Sequence, residues 1–312
     1  MPHDRRFRFG VQLHAATSAA DWTAQARRAE DLGYSTIFIP DHFGDQLAPL
    51  PALTAAAATT TTIRVGTLVL DNDYRHPVVL AKELATLDVL SDGRLEIGIG
   101  SGWMRSDYDE SGIPYDAPGV RVDRFAEGVQ IIKGLLGPDP VTVEGEHYRV
   151  TNHQGLPKPV QQPHPPILIG GGKERMLRLA AREADIVGIN PSIDSGQIDS
   201  DAARAGRADV TDQKLAWVRD EAGDRFDDLE INFLNFATIV TDERDQVAES
   251  MAPIFDLDPK EVTSYPHALI GSADQLTEDL HARRERWSAS YVVVQAGSMD
   301  AFAPVVAALA GT

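Results

Sequence analysis

Seven clusters of polar or glycine residues recur along this chain, each just past a short aliphatic run. They are His14, Asp41-His42, Asp71-Asn72, Ser101-Gly102-Trp103, Gly170-Gly171-Gly172-Lys173, Asn190-Pro191-Ser192 and Gln295-Ala296-Gly297-Ser298. Such runs read as strands buried on both faces. In α/β folds, ligands bind just past the C-terminal ends of the strands. Taken singly, Ser101, Ser192 and Ser298 read as cap or turn residues. Taken together, the clusters read as one ligand site.

His42 is the acid/base candidate, because imidazole titrates near neutral pH. The competing reading is a buried, hydrogen-bonded structural histidine. Gly170-Gly171-Gly172-Lys173 lies between a strand and a helix. Glycine lets backbone N–H groups approach a phosphate, and the helix N-terminus and lysine add positive potential. The stretch lacks the Gly-Lys-Ser/Thr ending of a P-loop, so it is either a phosphate grip or a bare tight turn. Gly98-x-Gly100-x-Gly102 mimics a dinucleotide fingerprint with the wrong spacing, in the fourth strand instead of the first. The nine histidines show no metal-ligand spacing, so no metal is expected. No Gly-x-Ser-x-Gly elbow occurs. With no cysteine there is no disulfide, thiolate site or cysteine nucleophile.

Eight strand-then-helix units must position these residues. The strands are read at Arg8 to Leu13, Thr36 to Pro40, Arg64 to Leu70, Leu95 to Gly100, Pro166 to Gly170, Asp185 to Asn190, Glu230 to Val240 and Tyr291 to Gln295. The first helix carries Trp22, Ala26, Ala29 and Leu32 on one face. The third repeats Leu80, Leu84, Leu87 and Leu90, with Pro77 in its first turn and Gly93 ending it. Val141 to Val150 alternates around Glu144-Gly145 as a surface hairpin. Residues 193–209 lack an apolar period and read as a mobile loop. The sixth helix is read from Asp212 to Glu221, and Ser272 with Gln275 forms a capping box. Eight units without a composition break predict one closed (β/α)8 TIM barrel over 1–312, with insertions at about 104–120, 137–165, 193–209 and 257–271.

A net charge of −18 opposes nucleic acid, so no such partner is expected. No apolar run approaches a membrane span. Arg5-Arg6-Phe7 resembles a twin-arginine signal, but no apolar stretch follows it; a plain N-terminus and a cytoplasmic protein are expected.

Several of these stretches together resemble the bacterial luciferase-like oxidoreductases, in the branch that uses coenzyme F420, a 5-deazaflavin. They are Phe38-Ile39-Pro40-Asp41-His42-Phe43, Gly66-Thr67-Leu68-Val69 with Arg75-His76-Pro77, Ser91-Asp92-Gly93-Arg94, Gly98 to Trp103, Glu144 to Tyr148 and Pro166 to Gly172. The resemblance implies a barrel, usually dimeric, with the deazaflavin across its mouth and hydride transfer to or from a small molecule. It implies His42 as the base and a cofactor site drawn from Asp41, Thr67, Leu68, Val69, Asp71, Asn72, Gly100, Ser101, Gly102, Trp103, Gly170, Gly171, Gly172 and Lys173, with Arg75 as a second candidate for the phosphate. It further implies a bulge in strand three with a non-prolyl cis peptide at Leu68–Val69, or failing that at Thr67–Leu68. The sugar-phosphate dehydrogenase of that branch has a glutamate directly after its Gly-x-Gly-x-Gly. Here that place is Trp103, which argues against sugar-phosphate oxidation. An FMN-dependent two-component monooxygenase and a non-catalytic flavin-binding relative are the alternatives.

Overall fold

The computed structural model describes residues 5–197 and 199–312, so Ile198 and the first four residues of the expected N-terminal segment lie outside the described residues. In chain order its elements are β1 (Arg8–Gln12), α1 (Ala19–Asp31), β2 (Thr36–Ile39), α2 (Pro49–Thr59), β3 (Arg64–Thr67), β4 (Leu70–Asp71), α3 (Pro77–Leu90), β5 (Leu95–Gly100), α4 (Arg105–Ser111) and α5 (Pro118–Leu136). Then come β6 (Val141–Glu144), β7 (Arg149–His153), β8 (Ile167–Gly171), α6 (Glu174–Glu183), β9 (Ile186–Ile189), α7 (Ser200–Ala205), α8 (Ala208–Ala222) and β10 (Glu230–Leu234). The chain ends with β11 (Ala237–Val240), α9 (Arg244–Phe255), α10 (Pro259–Thr263), β12 (Ala268–Gly271), α11 (Ala273–Trp287), β13 (Ala289–Gln295) and α12 (Met299–Leu309).

Parallel pairing runs β3-β2-β1-β13-β10-β9-β8-β5, and β3 pairs again with β5, closing an eight-stranded parallel (β/α)8 barrel. Alternate residues of each strand point inward, and their sizes interlock. The Phe38 ring fills the barrel axis, and a Cβ on Gly66 or Gly10 would lie 2.6 or 2.9 Å from it. At the N-terminal end, Arg8 bridges Glu96 and Glu230, at 2.6 Å each, and Arg64 Nε stands 2.7 Å from Glu96. The Tyr291 hydroxyl completes this layer, 2.8 Å from Glu96 Oε2. A depression of about 460 Å³ opens beside it, but its inner charges pair with one another.

Most elements fall where the sequence predicts. Trp22, Ala26 and Ala29 are buried on α1, Pro77 starts α3, β6 and β7 pair as an antiparallel hairpin, and Ser272 and Gln275 cap α11 reciprocally. Four expectations are corrected. The seventh strand does not run from Glu230 to Val240: it leaves the barrel after Leu234, and β11 pairs with β12 in a separate two-stranded sheet. Asn235 holds that break, its N–H donating to Val293 O at 2.8 Å. The stretch 193–209 contains α7, whose N-cap Asp199 accepts from Ala202 N–H at 2.9 Å. The sixth helix starts at Ala208, four residues early, because the buried face includes Thr211 and Lys214. Leu90 is exposed, since three residues past Leu87 it has rotated off the buried stripe.

Candidate active site

β3 stops at Thr67 and resumes as β4 at Leu70; between them the Leu68–Val69 peptide is cis, at the first of the two expected positions. This bulge explains the glycines opposite. Thr67 Oγ1 donates to Gly98 O at 2.7 Å and accepts from Gly98 N–H at 2.9 Å. A Cβ on Gly98 would lie 1.9 Å from Thr67 O, and one on Gly100 would lie 3.0 Å from Val69 Cγ2. Gly102 has φ +77°, and its missing Cβ would meet the Tyr108 hydroxyl and Asp71 carboxylate. The i, i+2 spacing therefore places Gly98 and Gly100 on one strand face against the protruding bulge, while Gly102, past the end of β5, is small for its own reason, the left-handed turn beneath Tyr108 and Asp71. Gln12 Nε2 supports the bulge from below, donating to Leu68 O at 3.0 Å.

His42 stands past the end of β2. Its Nδ1 lies 2.7 Å from Asp107 Oδ2, and its ring meets Trp103 edge-on with centroids 5.5 Å apart. Asp107 also accepts from the Tyr74 hydroxyl at 3.2 Å and from Phe43 N–H at 3.4 Å. Burial and the nearby carboxylates push the Tyr74 hydroxyl far above its ordinary range, so it stays a donor. One carboxylate on α4 thus fixes the imidazole, the Phe43 backbone and the Tyr74 ring. Asp107 and Tyr74 were not found from the sequence. Asp107 sits in the segment read as an insertion, and seven residues of α4 carry too little periodicity to announce a helix.

Asp41 is buried and paired bidentately with Arg75, at 2.5 and 3.2 Å, and accepts from Asp71 N–H. Arg75 is therefore committed to Asp41, which removes it as the free cation that a phosphate grip needs. Asp71 lies 2.8 Å from the Tyr108 hydroxyl and accepts from Asp73 N–H at 2.9 Å. Burial pushes its carboxyl up to about 7, with the charges of Asp73 and Asp41 adding to the shift. Asn72 turns to α5 and the hairpin, where its amide abuts Gly128 and donates to Tyr148 at 3.2 Å. Ser101 and Trp103 are half-buried at the end of β5.

Around the mouth, Gly170 to Gly172 are needed by the protein's own packing. Added Cβ atoms there would meet Asn190, Met176 and Pro191 within 2.4–2.8 Å. Ser192 and Ser298 donate to Gly172 O and Thr238 O, as turn residues do. Lys173 is exposed, pairs with exposed Asp194, and is the N-cap of α6 without a side-chain cap bond.

Polar residues and aromatic rings thus gather at the C-terminal mouth of the parallel barrel, the face on which barrel enzymes carry their sites. The chain belongs to the luciferase-like monooxygenase family, whose model matches residues 6–305. It is 32% identical over 187 residues to an F420-dependent glucose-6-phosphate dehydrogenase of Beutenbergia cavernae, covering 57% of this chain and 55% of that enzyme. It is 30% identical over 154 residues to an FMNH2-dependent dimethylsulfone monooxygenase of Pseudomonas putida, covering 48% and 42%. In fold it resembles the coenzyme F420-dependent tetrahydromethanopterin reductase of Methanopyrus kandleri, with a TM-score of 0.78, 19% identity, and 97% and 98% of the two chains covered.

Proposed function

We propose that this protein is an oxidoreductase that transfers a hydride between coenzyme F420 and a small organic substrate, with His42 moving the accompanying proton. The observation that carries this reading is the His42–Asp107 pair beside Trp103 at the barrel mouth. With Nδ1–H donating to the carboxylate, the tautomer is fixed and Nε2 is the atom that exchanges protons. When bound, the deazaflavin would supply the hydride to the substrate carbon, and His42 would deliver the accompanying proton to the substrate oxygen from Nε2.

The residues at the mouth suit such a cofactor in three respects. Leu68 and Val69 offer an apolar backstop to a ring, and half-buried Ser101, Gly102 and Trp103 stand past β5, with Asp41 and Asp71 buried and already paired. The first-turn N–H groups of α6 donate to no side-chain cap, and Lys173 stands beside them in an exposed ion pair with Asp194 that an incoming phosphate can replace, so a phosphate is welcome there. Since packing accounts for Gly170 to Gly172, the grip rests on those N–H groups and Lys173.

The similarity to an FMNH2-dependent monooxygenase supports a second reading, in which reduced FMN serves the same mouth. Titration of the purified protein with F420 and with FMN, followed by quenching of cofactor fluorescence, separates them. Saturable binding of F420 with weak FMN binding is expected. Preferential FMN binding overturns the F420 assignment.

A further inference from the structure

Among the described residues, the part-buried arginines around the mouth beside His42 are already engaged, and aromatic rings form part of its open surface. Asp41 occupies Arg75, Asp73 and Asp116 occupy Arg124, and Arg121 donates to Gly102 O at 2.8 Å while stacking 4.1 Å over Tyr115. The Asp107 carboxylate adds negative potential, on a chain of net charge −18. An anionic substrate would lose its hydration here and gain no counter-charge. By contrast, Phe43 is 53% exposed, its ring 4.6 Å from Tyr74, and half-buried Trp103 stands edge-on to the imidazole. Asp107 ties down both the Phe43 backbone and the Tyr74 hydroxyl, so this platform is held in place at little entropic cost on binding. Exposed aromatic surface beside a proton-transfer group is what an apolar ligand would cover.

We propose that the surface formed by Phe43, Tyr74 and Trp103 binds a neutral, apolar carbonyl compound, and that sugar phosphates and other small anions are rejected. This inference rests on the reading of the barrel mouth as the active site, and it names the substrate class.

The test is equilibrium binding, measured by calorimetry on the cofactor-free protein with straight-chain 2-ketones of increasing length and with glucose 6-phosphate. Affinity for the ketones is expected to rise about 4-fold per added CH2, the equivalent of ~0.8 kcal/mol. It should be unchanged by added salt, with glucose 6-phosphate binding much more weakly. Phe43→Ala should weaken the ketones about 10-fold and Phe43→Leu should restore most of the affinity; the exposed position makes misfolding of either unexpected. Ketone affinity that ignores chain length, tighter binding of glucose 6-phosphate, or indifference to Phe43→Ala overturns the proposal. A parallel F420 titration keeps the two readings apart. Loss of F420 binding with the ketone trend intact sinks the cofactor reading alone, and F420 binding without the trend sinks this one alone.

Discussion

Gly98 and the carbonyl of Thr67 touch so closely that a methyl group on Gly98 would sit 1.9 Å from that oxygen. Backbone on one side and a buried threonine on the other leave no flexible group to yield. Gly98→Ala must therefore displace the bulge between β3 and β4 or open the β3–β5 closure. A loss of ~3 kcal/mol is expected, at the upper end for overpacking. Gly44→Ala, where nothing lies within 4 Å, is the control and should be near neutral. Urea unfolding of the two variants checks this, and equal midpoints would contradict it.

The same contact shows where a sequence stops being legible. Strand positions were readable because short aliphatic and β-branched runs mark strands buried on both faces, and the helices because their buried stripes repeat. Gly98, Gly100 and Gly102 were visible as a pattern, but their cause lies on a neighbouring strand about thirty residues away. The resemblance supplied the bulge; the spacing alone gave only a mis-spaced imitation of a dinucleotide fingerprint. Asp107 was invisible for a related reason: its partner His42 is 65 residues distant, and α4 is too short for a period. Lys173 was legible as a cation at a helix start, whereas the pairing that removes Arg75 requires three-dimensional proximity to Asp41.

His42→Ala should reduce turnover by ~10²–10⁴-fold while F420 still binds, the usual range for losing a general acid or base. Asp107→Asn should fall short of that, by ~10²-fold, because the amide oxygen still accepts from Nδ1–H but no longer stabilises an imidazolium. Its signature is a shift in the pH profile of turnover, which a purely structural role would leave in place. Steady-state rates across pH, with cofactor titrations of each variant, decide the matter. Undiminished turnover in His42→Ala would assign His42 a structural role.

Glu96 is fully buried and joins Arg8, Arg64 and Tyr291 beneath the barrel core. The two guanidinium groups hold its carboxyl below the ordinary range despite burial. Truncation in Glu96→Ala leaves those guanidinium groups without their shared partner, and ~3–5 kcal/mol of stability should be lost. Because the folded carboxyl is depressed, its contribution is present above the unfolded pKa and lost as pH falls through the folded value. The gap between wild type and Glu96→Ala should thus narrow under strongly acidic conditions. A constant gap in denaturant titrations at acidic and neutral pH would contradict this.

Asp71 should make stability fall as pH rises toward neutral. An aspartate in the unfolded chain titrates near ~3.9, whereas burial raises the folded carboxyl of Asp71 to about 7. Between those values the folded protein holds a proton that the unfolded chain has released. The stabilisation is full below the unfolded pKa and is lost as pH rises through the folded one. Above that point the chain must keep a charge beside Asp41 and Asp73 with little water to solvate it. Asp71→Asn is neutral throughout; its amide oxygen can accept from the Asp73 N–H at the place of Oδ1, while its NH2 at the place of Oδ2 can donate to the Tyr108 hydroxyl oxygen, which keeps its own donation to Asp73 Oδ2. The variant should therefore resist the loss, its Tm falling less than that of wild type between about pH 5 and pH 7.5 by roughly 5 °C. The window ends there because burial lowers Lys214 to about 8, and its release from the charged state adds a slope of opposite sign at higher pH. Thermal melts of both proteins across that window give the answer. Parallel curves would mean that the Asp71 carboxyl is ionised in the folded protein throughout, with Tyr108 and the Asp73 N–H outweighing its burial.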